Sequence, residues 1–193
     1  MHTKNEWRTA LLRRRRQIEA SARSAYSTAI ARRLREVPEF RRCGTLVSYD
    51  AMGAEVDPAS LAEEARGSGK RVCLATSKEW RDAPDDRPFV DPAILGSGEG
   101  SPHFVVVPGV GFDLSGVRLG RGGGYFDRML AELRREARVF VVGAAFETQV
   151  VAELPRDSWD QSVDLIATER RLIVPRPAGS QCDLATTRKG DDR

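Results

Sequence analysis

The chain has 193 residues, 40% of them apolar and 31% charged, which gives one ordinary buried core and excludes a disordered or membrane-embedded composition. The longest apolar runs, Phe104–Val107 and Val139–Phe146, are far shorter than the roughly 18 residues of a helical membrane span. The net charge of +3 conceals an asymmetry, because residues 1–42 carry 12 Lys/Arg against 4 Glu and the remainder is net negative. Such a basic segment implies either an anionic partner (nucleic acid, membrane surface or phosphorylated small molecule) or a solvated helix face. Cys43, Cys73 and Cys182 have no ligand-like spacing, which argues against a disulfide framework and a structural zinc site. With charge where a leader's apolar stretch would lie, the expected compartment is the cytoplasm.

In chain order, residues 3–20 read as a helix with Trp7, Leu11 and Ile18 on one stripe and Arg13 to Arg16 turned largely outward. Ser21 or Ser24 is the expected cap of a second helix, whose stripe is Tyr26, Ile30 and Leu34 and which ends before Pro38. Thr45–Tyr49 is strand-like. Asp57-Pro58 offers a cap and first-turn proline for a helix to about Arg66, closed by Gly67 and Gly69 before a strand over Arg71–Leu74. Residues 76–102, rich in Pro, Gly, Asp and Ser, read as a long irregular loop. Phe104–Val107 is a buried strand, and a helix runs from about Gly124 to Arg135. A strand at Val139–Ala145, a short helix at Thr148–Glu153, a strand at Asp164–Ala167 and an edge strand at Leu172–Val174 complete the series. A single α/β domain over residues 1–176 is expected, with a disordered polar tail over 177–193. Alternation of strand and helix implies an open, largely parallel sheet flanked by helices, behind an N-terminal helical pair. Ligands on such sheets lie beyond the carboxyl ends of the strands.

Residues 105–130, VVVPGVGFDLSGVRLGRGGGYFDRML, run from a buried strand through seven glycines to a helix start. Glycines let backbone N–H groups approach an anion, and a helix N-terminus adds free donors and a positive dipole end. Arg118 and Arg121 supply charge-assisted hydrogen bonds to phosphate, so the strand–loop–helix context favours phosphate binding over a plain surface loop. The pattern is neither a Walker A loop nor Gly-x-Gly-x-x-Gly. Asp127, in the first turn of the following helix, serves either to complement the helix dipole (about 0.3–1 kcal/mol) or to hold a magnesium ion bridging phosphates. Asp164 is a candidate second carboxylate. Lys4 and Arg8 share a helix face and are either solvated or a clamp on the same polyphosphate. Glu55, just after the first strand, either binds a polar heterocycle or amine or starts the next helix.

The stretch Pro108-Gly109-Val-Gly-Phe112-Asp113-Leu-Ser-Gly116-Val-Arg118-Leu119-Gly120-Arg-Gly122-Gly-Gly124-Tyr125-Phe126-Asp127 resembles the signature of the 5-formyltetrahydrofolate cyclo-ligase family, with Phe126 in place of its second tyrosine. The similarity extends to Lys4-x-x-x-Arg8, Tyr49 with Glu55-Val56-Asp57, Trp159-Asp160, Val163-Asp164 and Thr168-Glu169. The resemblance implies a Rossmann-like three-layer fold of the sugar-phosphate isomerase/CoA-transferase type and a ligase of one-carbon metabolism. In such enzymes the γ-phosphoryl group of ATP activates the formyl oxygen of 5-formyltetrahydrofolate, N10 attacks, and phosphate leaves 5,10-methenyltetrahydrofolate. On this chain the resemblance implies that ATP is bound by Lys4, Arg8, Arg118, Leu119, Gly120, Arg121, Gly122, Gly123, Gly124, Tyr125 and Phe126. It likewise implies Mg²⁺ at Asp127 and Asp164, the pterin near Glu55 and Asp50, and catalytic roles for Arg121 and Tyr125. The partners so implied are ATP and a reduced folate, acting on a monomer with no membrane or nucleic acid. An ATP-binding paralogue with another acceptor or without folate activity, and a basic nucleic-acid binder, are the alternative readings.

Overall fold

The computed structural model describes residues 2–75 and 102–176. The expected irregular loop, apart from Pro102, and the expected tail lie outside the described residues, as does Cys182. Helix α1 (Lys4–Arg16) starts at a capping box, in which the Thr3 hydroxyl accepts from the Glu6 amide while the Glu6 carboxylate accepts from the Thr3 amide. Helix α2 (Ala20–Arg35) begins earlier than the expected serine caps. Glu19 occupies its N-cap without a side-chain bond, because the chain turns directly after Gln17 and Ile18, whose side chain packs on the core. Pro38 ends α2 as expected, but it also opens α3 (Pro38–Arg42), a first-turn use of proline that the sequence reading missed.

Strand β1 (Thr45–Tyr49) leads through α4 (Ala59–Gly67) to β2 (Arg71–Ala75), with Gly69 at φ +74° closing the helix. Strand β3 (His103–Pro108) is followed by the short β4 (Gly111–Asp113) and β5 (Arg118–Leu119), then α5 (Tyr125–Glu136) and β6 (Val139–Ala144). The short helix expected at Thr148–Glu153 is instead a 3₁₀ turn, Glu147–Gln149, running into β7 (Val150–Val151). Two β-branched residues pair there with Phe112 and Asp113, so sheet pairing overrides the local pattern. Strands β8 (Leu165–Ala167) and β9 (Leu172–Ile173) complete the chain order.

The main sheet runs β2-β1-β3-β6-β8-β9, parallel except for the antiparallel edge strand β9. Its central strands are buried on both faces, which is why they read as unbroken apolar runs. On β3, Phe104 and Val106 join a core with Ile30, Leu34 and Leu61 from α2 and α4, whereas Val105 and Val107 face Met129, Leu130 and Leu133 of α5. A second sheet, β5-β4-β7, packs with Leu11 of α1 around Val110, Val117 and Leu154. The chain leaves β1 toward β2 on one side and resumes at β3 on the other. The crevice at the carboxyl ends of β1 and β3 is therefore the topological switch point, where open parallel sheets hold ligands. Among the described residues no helix is long and apolar enough to cross a membrane.

Candidate active site

The first half of the glycine-rich motif is architecture. A Cβ on Gly143 would lie 2.3 Å from the Phe112 ring and one on Gly109 2.6 Å from it, so both glycines make room for that side chain. A Cβ on Gly111 would lie 2.3 Å from Leu11 Cδ1, which makes this glycine the seat of α1. Asp113, 1% exposed, accepts from the Ser115 and Val117 amides through Oδ1 and from the Leu154 amide through Oδ2, locking the turn between β4 and β5. Gln149, equally buried, donates to the Gly109 and Val110 carbonyls and fixes the chain leaving β3.

The second half is the exposed loop, residues 120–124. Gly122 at φ +110° and Gly124 at φ +64° adopt backbone conformations that side chains disfavour, and Gly124 is the N-cap of α5. Cations surround this loop. Arg8 donates from Nε to the Gly120 carbonyl at 2.9 Å, and Arg128 donates to the Gly123 carbonyl. Lys4 lies beside the same helix face but reaches Asp157 at 2.8 Å and Asp160 at 2.5 Å. Burial pulls the Lys4 ammonium down, yet hydrogen bonds to the two carboxylates outweigh it and raise its pKa.

Arg118 is not at the loop surface. Its side chain is 2% exposed, pairs with Asp127 at 2.8 Å, lies over the Phe126 ring and supports Gly120 from beneath. Leu119 is likewise buried in the small-sheet core. The side chains of these two positions lie beneath the loop rather than at its surface. Phe126 and Tyr125 meet edge to face at 5.0 Å, with Phe126 packed on both cores of the main sheet.

At the switch point, Glu55 accepts from Arg121 at 2.8 Å and from the Met52 amide at 3.0 Å, which joins the loop after β1 to the glycine loop. The Arg121 side chain is half exposed, while that of Glu55 is nearly buried. Asp50 is exposed at the end of β1. Below Glu55, Tyr49 is buried and donates to the Val56 carbonyl at 2.6 Å; burial, then Glu55 and Asp57, push its phenol well above the ordinary range. Arg15 closes the floor. Instead of turning outward with its neighbours it is 4% exposed, with Nη1 3.3 Å from the Gly109 carbonyl. Burial lowers its pKa, with Glu55 opposing that shift. The four-arginine run gave no sign of which member faces inward; its spacing of seven from Arg8 and four from Leu11 is the usable signal.

The two carboxylates expected to hold magnesium each have partners within the fold. Asp127 is engaged by Arg118 and the Gln161 amide, whereas Asp164 accepts from the Val141 amide and lies 3.8 Å from Arg134. Among the described residues no group of three or more His, Cys, Asp or Glu is arranged to hold a metal ion. The Asp127 side chain keeps 14% exposure and that of Asp164 42%, so both stay open to solvent beside these partners. The basic N-terminal segment is also partly consumed within the fold, through Arg8, Arg15, Arg33 on the Glu169 carbonyl, and Arg35 on Glu64.

Residues 95–169 match the model of the 5-formyltetrahydrofolate cyclo-ligase family. The chain is 28% identical to a probable 5-formyltetrahydrofolate cyclo-ligase of Schizosaccharomyces pombe over 177 residues, covering 76% of this chain and 85% of that one. It is 25% identical to the 5-formyltetrahydrofolate cyclo-ligase of Mycolicibacterium smegmatis, covering 89% and 96% of the two chains. Among solved structures, 5,10-methenyltetrahydrofolate synthetase of Aquifex aeolicus superposes with a TM-score of 0.67 at 30% identity, covering 92% of this chain and 95% of that one. With the family model, the curated relatives and a solved structure matched over nearly its whole length in agreement, the chain belongs to the 5-formyltetrahydrofolate cyclo-ligase family.

Proposed function

We propose that the protein closes 5-formyltetrahydrofolate to 5,10-methenyltetrahydrofolate at the expense of ATP, releasing ADP and phosphate. The observation that carries this reading is the 2.8 Å Arg121–Glu55 pair, which puts a loop suited to phosphates against a carboxylate suited to a heterocycle at the switch point. The glycine loop and the α5 N-terminus offer backbone donors to the triphosphate, and Arg8 and Arg121 add charge beside them. Lys4 joins them on exchanging Asp157 and Asp160 for phosphate oxygens.

In this reading the P–O bond to the β-phosphate breaks as a bond forms from the γ-phosphorus to the formyl oxygen. Folate N10 then attacks the formyl carbon, its proton is lost, and the C–O bond breaks with phosphate as leaving group. A formyl oxygen is a poor leaving group and a phosphate is a good one. The protein's task is therefore positioning and charge stabilisation rather than covalent chemistry. Glu55 and Asp50 hold the pterin side, and Tyr125 stands at the first turn of α5 beside the loop. Magnesium would accompany the nucleotide phosphates, with Asp127 and Asp164 as the candidate carboxylates to hold it.

The test is growth of methenyl-folate absorbance with purified full-length protein, Mg·ATP and 5-formyltetrahydrofolate. Arg121→Ala is expected to raise KM for ATP and lower kcat, and Glu55→Gln to raise KM for the folate. Absence of product from folded wild-type protein overturns the reading.

A further inference from the structure

We propose that Arg15 is the buried half of a two-arginine oxyanion receptor, with Arg121 as its exposed half, which takes the phosphoryl oxygens in transfer and the orthophosphate left behind. The inference rests on the reaction proposed above and adds a residue that the motif does not contain.

Arg15 carries an unmatched charge. Arg15 is 4% exposed, its Nε has no hydrogen-bond partner, and its Nη1 makes one long bond of 3.3 Å to a neutral carbonyl. The other deeply buried guanidinium of the region, Arg118, has a carboxylate at 2.8 Å. Glu55 bears on Arg15 as an opposite charge, but that carboxylate is already engaged by Arg121 and the Met52 amide. Arg121 and Arg16 bear on Arg15 as like charges. A buried cation without its own anion is costly, and the fold maintains one where the ends of β1 and β3 diverge. That is the arrangement of a preorganised site whose anion arrives with the ligand. A guanidinium fork matches an anion with several oxygens, so a phosphoryl group or a carboxylate satisfies the chemistry. The reaction supplies the first at the glycine loop, and the glutamate of a folate is the other source.

Calorimetric titration of inorganic phosphate into the full chain saturated with Mg·ADP, at constant ionic strength, tests the assignment. Phosphate is expected to bind the wild type, at least tenfold more weakly to Arg15→Gln, and about threefold more weakly to Arg15→Lys, which keeps the charge without the fork. Affinity for Mg·ADP is expected to stay within twofold throughout. If Arg15→Gln fails to fold by circular dichroism, Arg15→Lys carries the comparison. Unchanged phosphate affinity in the folded variants overturns the proposal, as do absence of phosphate binding to the wild type and an equal loss of Mg·ADP. Free glutamate titrated in place of phosphate is expected not to bind in an Arg15-dependent way, and if it alone does, the phosphoryl assignment is wrong. A wild type that makes product but whose phosphate binding ignores Arg15 sinks this inference alone. A folded wild type that makes none sinks the reaction.

Discussion

Asp127→Ala separates a carboxylate that supports the loop from one that holds metal. Asp127 Oδ2 lies 2.8 Å from Arg118 Nη2, and the Arg118 side chain is only 2% exposed. Because Arg118 Nε has no partner, removing Asp127 leaves a buried guanidinium without an anion. Breaking a buried pair from one side costs about 3–5 kcal/mol. The Asp127 side chain retains 14% exposure, so water reaches the gap and the lower end, about 3 kcal/mol, is expected. Against a typical total of about 5–15 kcal/mol this is a large loss, and it corresponds to a fall in Tm of about 6–12 °C. Urea unfolding followed by circular dichroism measures it, as a lower midpoint at unchanged slope. Removing both charges with Asp127→Leu and Arg118→Met is expected to restore stability to within about 1 kcal/mol of wild type, since no orphan charge then remains. If Asp127→Ala unfolds at the wild-type urea concentration while activity collapses, the carboxylate serves a ligand or metal and this reasoning is refuted.

Two further outcomes follow from packing and burial. Gly143→Ala puts a Cβ 2.3 Å from Phe112 Cε1 and is expected to cost about 1–3 kcal/mol, partly recovered by adding Phe112→Leu; equal unfolding midpoints for the single and double variants contradict the contact. His103 is 2% exposed with neither ring nitrogen hydrogen-bonded, and burial, then Arg71, hold its pKa below 6.5. The unfolded chain therefore takes up a proton first as pH falls. Stability is expected to drop below about pH 6.5 and to level off beneath the depressed value, and His103→Leu flattens that slope in unfolding titrations between about pH 5 and 7. A wild-type slope retained in the variant assigns the dependence to other groups.

The parallel sheet was legible because its strands are buried on both faces and so appear as apolar runs bounded by glycine and proline. The small sheet was not. Residues 111–113, 118–119 and 150–151 are too short for a period, and one of their two pairings joins segments more than 30 residues apart. The same limit governed the site. The motif located the loop, and Glu55 and Arg8 fell beside it, but the motif could not separate an arginine at the loop surface from one that lies beneath the loop. Arg118 and Arg121 are three residues apart, one 2% and the other 52% exposed in its side chain, because Arg118 lies in a strand and pairs with Asp127. Asp164 shows a related limit: one of its carboxylate oxygens accepts from the Val141 amide at the entry to β8. Acidic residues near a helix start or strand entry often meet backbone donors, and sequence alone does not reveal that these lone pairs are used.

The deepest link between motif and chemistry runs through α1. Arg8, Leu11 and Arg15 occupy positions i, i+3 and i+7 and so share a face, with the two arginines about 10 Å apart along the axis. Leu11 is fully buried against the small-sheet core, with its Cδ1 where a side chain at Gly111 would stand. That apolar anchor, worth about 2–3 kcal/mol when fully buried, fixes the helix. Arg8 thereby reaches the Gly120 carbonyl and Arg15 the Gly109 carbonyl. Each long side chain would otherwise lose up to about 2 kcal/mol of rotamer entropy to be held in place, a cost the docked helix and the carbonyls at both ends offset. In the proposed reaction Gly111 thus acts through packing alone. A larger residue there would lift α1 and displace both cations together, so nucleotide and phosphate binding would fail as a unit. That coupling explains how a packing residue can lie within the same run of sequence as a phosphate loop.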